Sequence, residues 1–287
     1  MRDFIKIEIT GSCNLECKYC FRDKDEDISR GYDYINKVDN ILQSLNPKSS
    51  VIRIESIGEI TLFPDLIKYL ENKSRVENYT IEILSNGITA DSLIYENSNI
   101  NWILSIDGHT EKMNKYRGIS HQKIENILNV AITSNSELQC VVSDQSIEEI
   151  NQFITYLRER KYEGFLHLFP CRWDCKSITR PPDYTKLEKA SFIADEEYFK
   201  RWKYVYDFRK RDFKCDFFIN GYTYRISPNE VKKMKCDCSG SSFKVLKLYD
   251  TEEKINGTKC GLCINHFEYN NSRRIFNNYE RILVEKC

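Results

Sequence analysis

Two hydrophobic periods take turns along the first 170 residues, and this alternation constrains the fold more than any other feature of the chain. Ile5, Ile7 and Ile9 alternate with Lys6, Glu8 and Thr10, the period of a strand, and Ile35, Val38, Ile41, Leu42 and Leu45 follow at helical spacing. Ile52 and Ile54 return to alternation, before a helix entered at Pro64 with Leu66, Ile67 and Leu70 on one face. Strand-like stretches recur at Tyr79–Leu84, Ile100–Ile106, Leu138–Val142 and Phe165–Phe169, with a helical pattern at Ile124, Ile127, Leu128 and Ala131. A further helix, Ile147–Arg158, opens with a capping box of Ser146 and Glu149 and is predicted to bury Ile147, Ile150, Phe153, Ile154 and Leu157. Six strands separated by five helices predict an α/β fold with a parallel sheet and right-handed crossovers, a partial (βα)6 barrel short of the eight-stranded form.

After Pro170 the pattern changes. Arg180-Pro-Pro-Asp183 breaks the chain, an aromatic helix follows (Tyr198, Phe199, Trp202, Val205, Tyr206), and Phe217–Ile226 reads as a hairpin turning at Asn220-Gly221. The predicted division is a barrel core over 1–170 and a cysteine-rich α+β extension over 171–287. Lys plus Arg and Asp plus Glu both number 43, which removes the bulk electrostatic reason to expect nucleic acid or an anionic membrane as partner. No apolar run approaches the ~18 residues of a membrane span. The opening decapeptide, with its alternating charges, is no signal peptide. A soluble, cytoplasmic protein is the expectation.

Twelve cysteines are the anomaly in the composition. In a large chain with no export signal, closely spaced cysteines point to metal or catalysis rather than disulfides. Immediately after the first strand comes Thr10-Gly-Ser-Cys13-Asn-Leu-Glu-Cys17-Lys-Tyr-Cys20-Phe21. Three thiolates on one loop can grip three irons of a [4Fe–4S] cube and leave the fourth open, whereas zinc wants a fourth protein ligand that this loop lacks. The place is apt, because β/α folds gather their chemistry at the C-terminal ends of strands.

Across roughly residues 4–170 the chain resembles the radical S-adenosylmethionine (radical SAM) superfamily, and this triplet is that family's most specific signature. The resemblance implies that Cys13, Cys17 and Cys20 hold a [4Fe–4S] cluster, whose open iron binds the amino and carboxylate groups of S-adenosylmethionine (SAM). It implies one-electron cleavage of SAM to a 5′-deoxyadenosyl radical, hydrogen-atom abstraction from substrate, and an electron donor such as ferredoxin or flavodoxin. Tyr19, before the third cysteine, resembles the aromatic residue beside the adenine. Ile57-Gly58-Glu59-Ile60 resembles the family's Gly-Gly-Glu-Pro, with Glu59 implied as acceptor for the SAM ammonium. Ser85-Asn86-Gly87 is similar to Thr-Asn-Gly. Ser105-Ile106-Asp107-Gly108 is similar to the segment that handles the ribose hydroxyls. Arg117 resembles an arginine that pairs with the SAM carboxylate, and Val142 an apolar residue of the adenine pocket.

Cys236-Asp-Cys238 and Cys260-Gly-Leu-Cys263 form a second set, which suits a closed zinc site or a second [4Fe–4S] cluster, with Cys215 as a reserve ligand. It resembles the "SPASM/twitch" extensions, which implies an auxiliary iron–sulfur cluster. Cys171 and Cys175, just past the last barrel strand, are candidate hydrogen donors to a substrate radical, against the alternative of plain packed thiols. Cys140 and Cys287 suggest no role, and the four histidines are too scattered for a site.

The function expected is modification of a ribosomally made peptide by cross-linking, oxidation or epimerisation. The first strand begins at residue 4, so no separate peptide-recognition domain is expected ahead of it. That keeps open a small-molecule reading, resembling aminocyclitol dehydrogenases and aminoglycoside epimerases. A third reading is a non-catalytic iron–sulfur scaffold.

Overall fold

The computed structural model describes residues 3–20, 34–45, 50–89, 95, 98–170, 221–226, 231–234 and 282–283. The expected alternation is present: β1 (Asp3–Thr10), α1 (Tyr34–Gln43), β2 (Ser50–Ile57), a 3₁₀ turn (Ile60–Leu62) leading into α2 (Pro64–Glu77), β3 (Thr80–Ser85), β4 (Asn101–Ser105), α3 (His121–Ser134), β5 (Glu137–Val142), α4 (Ile147–Glu159) and β6 (Phe165–Pro170). Four α-helices stand between these strands among the described residues, where the sequence pattern predicts five.

Local chemistry sets the helix ends. Pro64 opens α2, where a missing N–H is no loss. Asn78 and Asn135 end α2 and α3 in the left-handed region, with φ of 59° and 54°, a conformation asparagine tolerates better than most residues. The capping box on α4 forms as expected: Glu149 N donates to Ser146 Oγ at 3.2 Å, and Ser146 N donates to Glu149 Oε2 at 2.8 Å.

Strands β1 to β6 pair in parallel in chain order. Three strands from beyond residue 170 extend the same sheet. β7 (Gly221–Ile226) lies parallel to β1, β8 (Val231–Met234) antiparallel to β7, and β9 (Ile282–Leu283) antiparallel to β6. The order is β8-β7-β1-β2-β3-β4-β5-β6-β9, and among the described residues its two ends do not pair, so the sheet stays open. The hairpin expected to turn at Asn220-Gly221 is corrected. Gly221 is the first residue of β7, opposite Phe4, and the antiparallel pair runs from Thr223↔Met234 to Ile226↔Val231. Among the described residues the Tyr222–Ile226 alternation has β1 on one side and β8 on the other, so its partners are not Phe217–Ile219; Asn220 lies outside the described residues.

The two faces of the sheet differ sharply. Ile5, Ile7, Ile9, Ile52, Ile54, Ile81, Ile83 and Leu104 pack with Val38, Leu42, Leu66, Leu70, Ile124, Leu128, Phe153 and Leu157 in one core. Burying each such side chain contributes about 1.5–3 kcal/mol. Alternate residues of β1, β2 and β3 point the other way, and among them Lys6, Glu8, Arg53 and Glu82 are charged and buried, with Glu55 partly so. Lys6 Nζ sits 3.2 Å from Glu8 Oε1 and 2.9 Å from Glu55 Oε2, and Arg53 gives two hydrogen bonds, at 2.9 and 2.7 Å, to Glu82 Oε2. Lys6, Arg53 and Glu82 occupy one register row, and Glu8 and Glu55 the next row toward the C-terminal strand ends.

A buried ion pair is held by its partner more than by its intrinsic strength. Arg53→Ala should therefore destabilise the protein by about 3–5 kcal/mol in urea unfolding, and Arg53→Met with Glu82→Leu by much less. Equal losses in the two variants would contradict this account of the interior face.

Candidate active site

Parallel pairing brings the C-terminal ends of β1 to β5 to one edge, where Gly11, Gly58, Asn86, Ile106 and Ser143 begin the connecting loops. The cysteine loop is fastened there by its backbone. Glu59 N donates to Ser12 O at 2.8 Å, Lys18 N to Tyr116 O at 2.7 Å, and Cys20 N to Cys17 O at 3.0 Å. Gly58 permits this approach: a Cβ there would fall 2.3 Å from Gly11 O and 2.5 Å from Ser12 O. Cys13, Cys17 and Cys20 are half-buried and form no disulfide among the described residues. Leu15 N donates to Cys13 Sγ at 3.4 Å, and Asn86 Nδ2 approaches the same sulfur at 3.8 Å while bonding Asn14 Oδ1 at 2.7 Å. Burial pushes the Cys17 thiol up to about 11, against the pull of Arg117.

Glu59 is 1% exposed. Its Oε1 accepts from Thr61 N (3.0 Å), Thr61 Oγ1 (2.8 Å) and Ser85 Oγ (2.7 Å), and its Oε2 from Asn86 N (2.7 Å). These bonds tie the β2 and β3 ends together through one carboxylate.

Asp107 follows the end of β4. It is fully buried, and both of its oxygens are engaged. Tyr19 Oη donates to Oδ2 at 2.6 Å, Val141 N donates to Oδ1 at 3.1 Å, and Arg117 Nε lies 3.1 Å from Oδ1, a charge contact without a well-aligned hydrogen bond. The Arg117 guanidinium rests 5.6 Å from the centre of the Tyr19 ring. Burial works against its charge, but Asp107, foremost among the groups that offset burial, keeps its pKa above the ordinary guanidinium value. Tyr19 is held well above the ordinary phenol range, first by burial, with Arg117 opposing and Asp107 adding to the rise.

Tyr19, Gly58, Glu59, Ser85, Asn86, Ser105, Asp107 and Arg117 all lie on this edge beside the three cysteines. Ser105 ends β4 and is buried, and Val142 ends β5, its side chain outside those described. Cys171, Cys175, Cys215, Cys236, Cys238, Cys260 and Cys263, with the aromatic helix near Trp202, lie outside the described residues.

Two buried amides that the sequence reading missed shape the Asp107 loop. Asn114 accepts from Asp107 N at 2.9 Å and donates to Gly108 O and Thr110 O at 2.8 and 2.9 Å. Gln145 donates to Met113 O at 3.2 Å and accepts from Ser143 N at 2.7 Å. Their only sequence signal is a polar residue a few positions past a strand end, which a solvated loop also shows. Gly108, at φ 148°, is obligatory, since a Cβ would meet Met113 Sδ at 2.3 Å.

The sequence matches no protein-family model. It is 35% identical over 274 residues to neomycin C epimerase of Streptomyces fradiae, which covers 95% of this chain and 91% of that relative. The chain belongs to the radical SAM superfamily. It is thus an enzyme of that superfamily, whose cofactors are SAM and a [4Fe–4S] cluster. Its fold is similar to that of Streptococcus suis SuiB bound to the precursor peptide SuiA, with a TM-score of 0.63 at 15% identity, over 82% of this chain and 60% of SuiB. SuiB bound to SAM gives a TM-score of 0.60 at 14% identity, over 90% of this chain and 65% of SuiB. The radical SAM chain therefore spans less than two thirds of SuiB, and at these identities the likeness concerns the fold. No helix among the described residues is long and apolar enough to cross a membrane.

The donor set on the cysteine loop fits a cube better than a single ion. Among the described residues no three His, Cys, Asp or Glu side chains converge on one metal ion. A cube asks for less convergence, because each thiolate binds its own iron, and N–H donors such as Leu15 and Asn86 tune the sulfurs. Gly58→Ala should push the cysteine loop off the β2 end, lower stability by about 1–3 kcal/mol and reduce the iron retained per chain after reconstitution. A variant with full iron content would contradict the close-approach role of Gly58.

Proposed function

We propose that this radical SAM enzyme inverts a carbon stereocentre on a small, polar molecule rich in hydroxyl and amino groups, of the aminoglycoside class. The observation that carries the reading is the 35% identity to neomycin C epimerase along 95% of the chain. The buried charged face of β1, β2 and β3 supports it, because an interior lined by Lys6, Glu8, Arg53, Glu55 and Glu82 suits a polar substrate rather than an apolar one.

In this reading Cys13, Cys17 and Cys20 hold the [4Fe–4S] cluster, and Arg117 receives the SAM carboxylate. Its two terminal amino groups take no partner among the described residues, and a guanidinium meets a carboxylate with two parallel hydrogen bonds. Tyr19, Asn86, Ser105 and Val142 border the nucleoside. When bound, the two cofactors supply a 5′-deoxyadenosyl radical that takes one hydrogen atom from a substrate carbon. The protein's part is then to return a hydrogen atom to the opposite face from a thiol, for which Cys171 and Cys175 are the candidates. The S–H bond breaks as the new C–H bond forms, and the resulting sulfur radical needs one electron and one proton. An electron donor of the ferredoxin or flavodoxin type, through an auxiliary cluster on Cys236, Cys238, Cys260 and Cys263 with Cys215 as reserve ligand, would supply the electron and solvent the proton; zinc, the alternative occupant of that site, would leave the donor to act without a relay.

A second reading, a ribosomally made peptide as substrate, is favoured by the second cysteine set, whose pattern resembles the two-cluster branch that acts mostly on peptides. Holoenzyme assayed in D₂O with SAM and a reductant separates the two. The aminoglycoside reading expects an epimerised product carrying one non-exchangeable deuterium, and neither product nor 5′-deoxyadenosine from Cys17→Ala. Turnover of peptide alone would replace it with the second reading. Absence of 5′-deoxyadenosine from the unaltered enzyme would leave only an iron–sulfur scaffold.

A further inference from the structure

We propose that Asp107 is a positioning residue, which locks the Arg117 guanidinium and the Tyr19 ring into one unit and so fixes the distance between the cluster loop and the grip on the SAM carboxylate. The inference rests on the reading above that Arg117 receives that carboxylate. Asp107 touches three separate segments. Its Oδ2 takes the Tyr19 hydroxyl at 2.6 Å, between two cysteines of the cluster loop. Its Oδ1 takes Val141 N of β5 at 3.1 Å and faces Arg117 Nε at 3.1 Å. Its own N–H is held by Asn114 Oδ1 at 2.9 Å. Asp107 is 0% exposed and Arg117 6%, so water does not screen the pair.

The geometry does more than neutralise a charge. With one edge of the guanidinium against Asp107 and one face over Tyr19, the group can no longer sample its rotamers, and its two outer amino groups keep one direction. A long cationic side chain loses much entropy when it grips a ligand, and prior fixation removes that loss from binding. Tyr19 belongs to the cysteine loop, so any shift of that loop is carried to Arg117 through a single carboxylate.

The test uses reconstituted holoprotein and measures the dissociation constant of SAM by anaerobic calorimetry, together with iron content and melting temperature. Asp107→Asn should keep iron and weaken SAM binding roughly tenfold. Arg117→Lys should weaken it similarly, and the double variant should be no weaker than the worse single one, since both act on one unit. A merely structural Asp107 would lower the melting temperature and leave SAM affinity unchanged, which would overturn the proposal, as would losses that multiply in the double variant. Should Asp107→Asn fail to fold, Tyr19→Phe decides: it removes one hydroxyl, leaves the Asp107–Arg117 pair, and should weaken SAM binding roughly threefold at full iron content. Unchanged affinity in that variant would overturn the proposal. Unchanged affinity in Arg117→Lys alone would instead overturn the carboxylate grip, and the proposal with it.

Discussion

One buried carboxylate holds the working edge of this protein together. Glu59 follows the end of β2, and its side chain collects donors from the 3₁₀ turn and from the end of β3, while its backbone N–H reaches Ser12 on the cysteine loop. Three strand ends thus share one anchor, in a place where water cannot compete for the hydrogen bonds. The close approach that this demands leaves no room for a side chain at position 58. The triplet of thiols is consequently carried by a loop whose backbone is fastened to the end of β2 and to the loop after β4.

Asp107 repeats the arrangement one strand pair further along. Glu59 and Asp107 each follow a strand end, each is buried, and each is filled by protein donors. The consequence for chemistry is a division of labour. Acidic residues at the strand ends organise the loops, Arg117 is packed against Asp107 and Tyr19, and the charged face of β1 to β3 lies below them on the interior of the sheet.

Much of this was legible in the sequence because the signals were periodic or chemically specific. The Ile5-Ile7-Ile9 alternation, the helical spacing of Ile124 to Ala131 and the Ser146–Glu149 capping box all became the elements they predicted. The cysteine triplet fell on the loop after β1, and Arg117 came to the same edge although 97 residues separate it from Cys20. What the sequence hid were decisions made by packing. Asn-Gly at 220–221 reads locally as a turn, yet the strand after it pairs with β1. Glu59 and Asp107 carry the residue types of ligand contacts, but their hydrogen bonds to Thr61, Ser85, Asn86, Tyr19 and Val141 depend on how the strand ends come together. Lys6, Glu8 and Arg53 mark strands by alternation, but their mutual pairing depends on the register of three strands.

The central claim is that three thiolates from the loop after β1 hold a cube whose fourth iron is reserved for SAM. Electron–nuclear double resonance on the reduced holoprotein tests it most directly, with SAM carrying ¹⁵N in its amino group and ¹³C in its carboxylate. The account predicts strong hyperfine coupling from the amino nitrogen and measurable coupling from the carboxylate carbon, both lost on replacement of SAM by unlabelled material. A cluster that shows neither coupling at saturating SAM would contradict it.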